Sequence, residues 1–298
     1  MKTHFPPVLL IPPVQMIPLF LLILAFIAGS ALAADFDEAV AAVEKRDYST
    51  ALRIFQKLAK QGNIDAERNL GLMHWRGMGV PRDARDAVKW YKRAAERGDV
   101  YSQRNLGLIY DEGGDLPLDY KEAARWYHFA AERGDPVSQL NLGILYERGK
   151  GVNQDYSEAV DWYSKAAEQN LDRAQYNLGI MYGRGLGVAK DVPESVKWFR
   201  KAAEQGDVDA QYNLGMSCHS TPGILQDYVQ AYMWLELAAG KGKQQAALER
   251  DALAERMTQD QIREAQSRAW HWQPKKISES HSVNSQKEGA RTPSRHAK

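Results

Sequence analysis

Leu-Gly recurs along this chain at one interval, at Leu70-Gly71, Leu106-Gly107, Leu142-Gly143, Leu178-Gly179 and Leu214-Gly215, each pair 36 residues after the last. Trp keeps the same step at Trp90, Trp126, Trp162, Trp198 and Trp234. A fixed period of about 20–50 residues marks stacked repeats, in which each copy buries its apolar face only against its neighbours. Such a surface suits binding better than catalysis, because catalytic groups form a unique constellation and a repeat copies everything.

One period divides into two helices. Ala174, Leu178 and Tyr182 stand at i, i+4 and i+8 and share a helical face. The stretch from Gly183 to Gly187 interrupts the pattern. Asp191, Val192 and Pro193 then open a second helix, Asp as an N-cap and Pro in the first turn. That helix carries Trp198, Phe199, Ala202 and Ala203 and stops near Gly206, which can adopt the left-handed conformation that ends helices. Gly-x-Gly-Val returns at Gly77, Gly149 and Gly185, and Ala-Ala-Glu at Ala94, Ala130, Ala166 and Ala202. Paired alanines let helix backbones approach closely.

These residues resemble the Sel-one-like repeat (SLR) family, a relative of the tetratricopeptide repeat, through Ala-x-x-x-Leu-Gly-x-x-Tyr, Gly-x-Gly-Val, Ala-x-x-Trp-Tyr and Ala-Ala-Glu-x-Gly. The resemblance implies an all-α, right-handed superhelical solenoid of antiparallel helix pairs, with the first helix of each pair lining the concave side. Five repeats are expected over residues 64–243. A degenerate helix pair over 34–63 and capping helices over 244–274 would close the apolar ends, which solenoids require. Residues 275–298 are polar and irregular and read as a disordered tail.

The start of the chain has a different character. Ile17 to Ala28 is almost purely apolar, and Ala31-Leu32-Ala33 follows with small residues where a signal peptidase needs them. Residues 1–33 therefore read as a signal peptide cleaved after Ala33, which places the mature chain in the periplasm or outside the cell. The apolar run is short for a membrane span, so contact with a membrane is expected only through this segment if it is retained. No cysteine follows the site, which argues against a bacterial lipid anchor. Cys218 is the single cysteine of the chain, so stability must come from apolar burial without an internal disulfide.

The candidate chemistry is sparse. Lys and Arg total 39 against 38 Asp and Glu, without the basic excess of a nucleic-acid binder. The glycine turns recur between helices, whereas a phosphate loop follows a strand and occurs once. His74, Tyr110, Tyr146, Tyr182 and Cys218 share one register and are expected in the core or at a groove edge. Cys218-His219 lacks a second ligand pair, so no metal or cofactor is expected. No nucleophile–base pairing stands out, and no catalytic residue is assigned. The Trp-Tyr pairs from Trp90, Trp126 and Trp162 are read as helix packing in preference to a stacking platform.

The informative positions flank the Leu-Gly beat. Asn69, Asn105, Asn141, Asn177 and Asn213 precede it, in a register that faces the groove of a tetratricopeptide-like helix. An Asn there can donate to and accept from a peptide backbone, or tie one helix to the next. The register before it changes from Arg68 and Arg104 through Leu140 to Tyr176 and Tyr212. The expectation is a non-catalytic periplasmic or secreted bacterial adaptor that binds a protein or peptide, acidic at one end and apolar at the other. A cell-envelope component is a possible partner and nucleic acid is not. The resemblance adds roles in envelope assembly, polysaccharide export, control of signalling and host contact. The alternatives are a cell-wall or β-lactam-hydrolysing enzyme, suggested by disulfide-rich relatives whose paired cysteines this chain lacks, and a peptidoglycan-binding module.

Overall fold

The structure, a computed structural model, describes residues 33–220 and 227–275. The apolar segment before residue 33 and the tail after 275, where the signal peptide and the disordered tail were expected, lie outside the described residues. Among the described residues there is no strand. The chain divides into two compact units, residues 1–102 and 103–298.

The first unit holds α1 (33–44), α2 (Tyr48–Lys60), α3 (Ile64–Arg76) and α4 (Ala84–Glu96). Its core joins Ala39 and Ala42 of α1 to Ile54, Phe55 and Leu58 of α2 and Leu70 and Met73 of α3. Phe36 meets the Phe55 ring at 5.7 Å. The leading helix pair therefore covers the apolar side of α3.

The division falls within α5 (Val100–Glu112). The second unit continues with α6 (Tyr120–Ala131), α7 (Pro136–Arg148), α8 (Tyr156–Glu168), α9 (Asp172–Arg184), α10 (Val192–Gln205), α11 (Val208–Ser220) and α12 (Tyr228–Gly240). Two further helices, α13 (Gln244–Ala254) and α14 (Gln259–His271), follow. Consecutive helices pack on one another, as α7 with α8, α8 with α9, and α12 with both α13 and α14. The C-terminal segment then folds back. Trp272 meets Trp234 edge to face at 6.0 Å, and Lys275 reaches Glu204 through both its backbone N–H at 2.8 Å and its Nζ at 2.6 Å.

Local signals set the helix limits. An aspartate caps the second helix of every pair: Asp47, Asp83, Asp119, Asp155, Asp191 and Asp227 each accept from a backbone N–H in the first turn. Each such cap is worth about 0.5–2 kcal/mol. Gly77, Gly149 and Gly185 end first helices at φ of 67°, 64° and 70°, where L side chains are strained. The expected cap at Asp191 is present, and Thr258 opens α14 with a full capping box closed by Gln261.

The Leu-Gly beat is the contact within each pair. Leu70, Leu106, Leu142, Leu178 and Leu214 are buried. Each following glycine lies flat under a large side chain of the second helix, Gly71 under Tyr91, Gly107 under Tyr127, Gly143 under Tyr163, Gly179 under Phe199 and Gly215 under Leu235. The glycine is required because a Cβ would overlap that side chain. Trp126, Trp162 and Trp234 are buried, while Trp90 and Trp198 are half-buried under Arg93 and Lys201. They pack helices together and form no exposed platform.

One register sits further out than a core position would. His74, Tyr110, Tyr146 and Tyr182 are half-buried, and only Cys218 is buried. They occupy the last turn of the first helix, where the glycine turn leaves coverage incomplete. Their backbone carbonyls instead close the turn by accepting from the capping aspartates, as Asp155 to Tyr146 and Asp191 to Tyr182, both at 3.0 Å.

Candidate binding face

The face that the Asn register was expected to line is built by the first helix of each pair. On α7 it carries Leu140, Asn141, Ile144 and Arg148; on α9, Tyr176, Asn177, Ile180 and Arg184; on α11, Tyr212, Asn213 and Met216. The i, i+4, i+8 spacing keeps each set in one stripe. Apart from buried Leu140 and exposed Arg148 and Arg184, all of these are half-buried.

The structure engages the expected arginines internally. Arg68 pairs with Asp99 at 2.8 Å and with Asp65 at 2.6 Å. Arg104 pairs with Asp135 at 3.1 Å. Asp99 and Asp135 also cap the next first helix, accepting from Ser102 and Ser138 N–H at 2.7 Å each. A residue of one copy thus grips the entry of the next. The pattern changes along the chain: Asp207 keeps the aspartate with Tyr176 in the arginine's place, and Arg173 nears it instead. Where Leu171 replaces the aspartate, α9 starts without a side-chain cap, and the residue 31 positions earlier is Leu140. In the last copy Lys243 takes the aspartate's place, and its ammonium lies over the Tyr212 ring at 5.4 Å.

The asparagines divide their roles. Asn69 and Asn213 donate to carbonyls one turn back, Asp65 O at 2.8 Å and Asp209 O at 2.9 Å. Asn141 and Asn177 stand as donors to the hydroxyls of Tyr127 and Tyr163 in the preceding copy. Those hydroxyls in turn donate to Asp111 at 3.4 Å and Glu147 at 2.5 Å. Burial pushes both phenols far above the ordinary tyrosine range. Burial likewise raises the Asp111 carboxyl. Asn105 is half-buried on α5 in the same register.

Tyr176 and Tyr212 are bordered by a charge network. Asp209 accepts from Lys243 at 2.6 Å and Arg173 at 2.8 Å, and these two bonds hold its carboxyl below the usual range. The Arg173 guanidinium lies 4.7 Å from the centre of the Tyr176 ring and also nears Asp207 at 3.6 Å. Two cations and two carboxylates therefore balance along this edge.

A further row escaped sequence reasoning. Glu67, Gln103, Gln139, Gln175 and Gln211 follow the 36-residue step and are all buried. Gln139 and Gln175 donate to Ala131 O and Ala167 O of the preceding copy, each at 3.1 Å. They accept from Gln169 and Gln205 of their own copy at 2.8 and 2.7 Å. Glu67 takes Arg97 at 3.4 Å in the place of Gln169, and Arg93 at 2.7 Å besides. The period itself was the available signal, since these residues repeat as strictly as Leu-Gly. Among the described residues no cluster of three or more His, Cys, Asp or Glu is placed to hold a metal. Cys218 is a free, buried thiol, and burial raises it.

Stacked helix pairs, a framework tied from copy to copy and one face of variable half-exposed side chains define a helical repeat protein of the interaction-scaffold class. The chain belongs to the Sel1 repeat family, whose repeat matches residues 42–63, 64–99, 100–135, 136–171, 172–207 and 208–243. Proteins of this family are generally protein-interaction scaffolds. Among solved structures the chain is similar to c5321 of uropathogenic Escherichia coli, a protective antigen with an SLR fold, at 35% identity and a TM-score of 0.74. That similarity covers 79% of this chain and 52% of the other, so the chain spans about half the length of that protein. It is also similar to a Sel1 repeat protein from Oxalobacter formigenes, at 33% identity and a TM-score of 0.65 over 79% of this chain and 98% of that one. No match was found among curated proteins.

Proposed function

We propose that this chain is a non-catalytic, exported scaffold that binds a protein or peptide segment on the face made by its first helices. The observation that carries this reading is the contrast between the two sides of those helices. The inner side is filled by Leu and Gly in every copy, whereas the outer stripe varies from copy to copy and keeps Tyr176, Tyr212, Ile144, Ile180 and Met216 partly accessible. Tyrosines held by neighbouring cations are rigid, amphipathic contact groups of the kind that dominate binding energies. Asn141, Asn177 and Asn213 supply amides beside them, and Arg68 with Asn69, and Arg104 with Asn105, are the equivalent positions on α3 and α5. Export rests on the apolar run from Ile17 to Ala28 and the small residues up to Ala33.

Site-specific photo-crosslinking tests the reading. A benzophenone side chain at position 212 should trap a defined partner in cells, while one at Lys165, on the exposed side of a second helix, should not. Equal trapping from both positions, or from neither, would overturn it. Cell fractionation with N-terminal sequencing of the mature chain tests export, with Ala34 expected first and an intact cytoplasmic chain as the contrary result.

A further inference from the structure

The first-helix stripe of the second unit has a chemical direction across its width. Along one edge, at the start of the helices, Arg173 and Lys243 are neutralised by Asp207 and Asp209. The middle is apolar and aromatic: Leu140, Tyr176 and Tyr212 in one row, Ile144, Ile180 and Met216 in the next. The row continues one step further than the matched repeats, because Leu248 on α13 stands 36 residues after Tyr212 and is 65% exposed. At the other edge Arg148 and Arg184 end the stripes of α7 and α9, and both are exposed. They stand outside the ion pairs described above. Glu147, beside Arg148, is turned to the Tyr163 hydroxyl, so its charge is held within the helix pair. The same step on the preceding helix carries Glu112, which limits the cationic edge to two helices.

We propose that this face takes an extended, acidic peptide segment of a partner protein, with apolar side chains laid over Leu140, Tyr176, Tyr212 and Leu248, and carboxylates set against Arg148 and Arg184. The proposal rests on the binding face of the proposed function and adds the partner's chemistry. The charge follows from complementarity. With the first edge neutral and the second carrying two guanidiniums, carboxylates are the groups that gain there, and Arg can hold them in a bidentate fork. This assigns acidic recognition to Arg148 and Arg184, since Arg68 and Arg104 are already bound to Asp99 and Asp135.

Selection of random dodecapeptides displayed on phage against the mature protein tests this. The selected sequences should be rich in Asp and Glu and should also carry apolar residues. Fluorescence polarisation of the resulting labelled peptides should show weaker binding as salt rises. The double variant Arg148→Glu/Arg184→Glu, at two exposed positions, should weaken them about tenfold or more, and a peptide with Lys in place of its acids should recover binding to that variant. Peptides that lose binding on Tyr212→Ala but carry no acidic bias and ignore the arginine reversal would overturn this proposal and leave the binding face standing. Failure to select any peptide, or peptides indifferent to both sets of variants, would overturn both. Circular dichroism of each variant establishes that the fold is retained.

Discussion

Gly143 lies so close beneath the Tyr163 ring that a Cβ on it would stand 2.7 Å from the ring's Cε1. Tyr163 in turn is fully buried and tied through its hydroxyl to Glu147, one turn along the same first helix. The ring cannot move away without giving up that bond. Gly143→Ala should therefore destabilise the protein by about 1–3 kcal/mol, the cost of overpacking. Gly240, the last residue of α12, has no heavy atom within 4 Å of the same construction. Gly240→Ala should be neutral or stabilising, by up to about 1 kcal/mol. Urea unfolding of the two variants checks both, and equal effects would refute the contact argument.

The buried row at Glu67 and its glutamine equivalents predicts an exchangeable pair. Glu67→Ala should cost about 1–3 kcal/mol because Arg93 and Arg97 lose their shared acceptor. The double change Glu67→Gln/Arg97→Gln recreates the pairing seen between Gln139 and Gln169. It should be more stable than either single change would imply if the two sites were independent. A double-mutant cycle by thermal unfolding gives the coupling, and strict additivity would count against it.

Leu140 and Leu171 occupy the places that Arg104 and Asp135 hold one copy earlier. Leu171→Asp alone would restore an N-cap to α9 but set a carboxylate against Leu140. Leu140→Arg alone would bring an unpartnered guanidinium to a position that is 9% exposed. Together they should rebuild the ion pair, with a favourable coupling on the order of 1 kcal/mol. Chemical denaturation of the four proteins in the cycle measures it, and an unfavourable coupling would show that the apolar pair is not a substitute for the charged one.

Asp111 links stability to pH. Burial raises its carboxyl above the ordinary value, so the folded state holds this proton more tightly than the unfolded state. Its contribution is fully present below the unfolded aspartate value of about 3.9 and is lost as pH rises through the folded value. Asp111→Asn keeps an acceptor for Tyr127 and removes the titration. Between pH 7 and about pH 4.5 the unchanged protein should gain stability relative to this variant, as read from unfolding curves at the two pH values. Asp209 has the opposite sign. The bonds from Lys243 and Arg173 lower its carboxyl, and its contribution is present above the unfolded value and lost as pH falls through the folded one.

The repeat unit and its helices were legible because Leu, Gly, Trp and the Ala pair recur at one step, and a stack of copies admits few other folds. The half-exposed position of Tyr146 and Tyr182 was less legible. A helical periodicity gives the face of a side chain, but not how far a neighbouring turn covers it. The arginines show the harder case. Arg68 and Arg104 read as available cations because their partners, Asp99 and Asp135, stand 31 residues later in the sequence and meet them only when copies stack. The same arithmetic applied to Leu140 and Leu171 would have exposed the pairing from sequence. Leu248 was overlooked because the helix that bears it has left the family pattern while keeping its register.

Lys275 gives the stack an end that does not peel. An array of this kind ordinarily frays from its last element inward, each copy releasing in turn. Here the chain returns to Glu204 across 71 residues, and Trp272 lies against Trp234 on the way. Detaching α14 also breaks that clasp on α10, which couples the release of the last helices to α10. The last two copies would therefore open more cooperatively than a free end of the stack would.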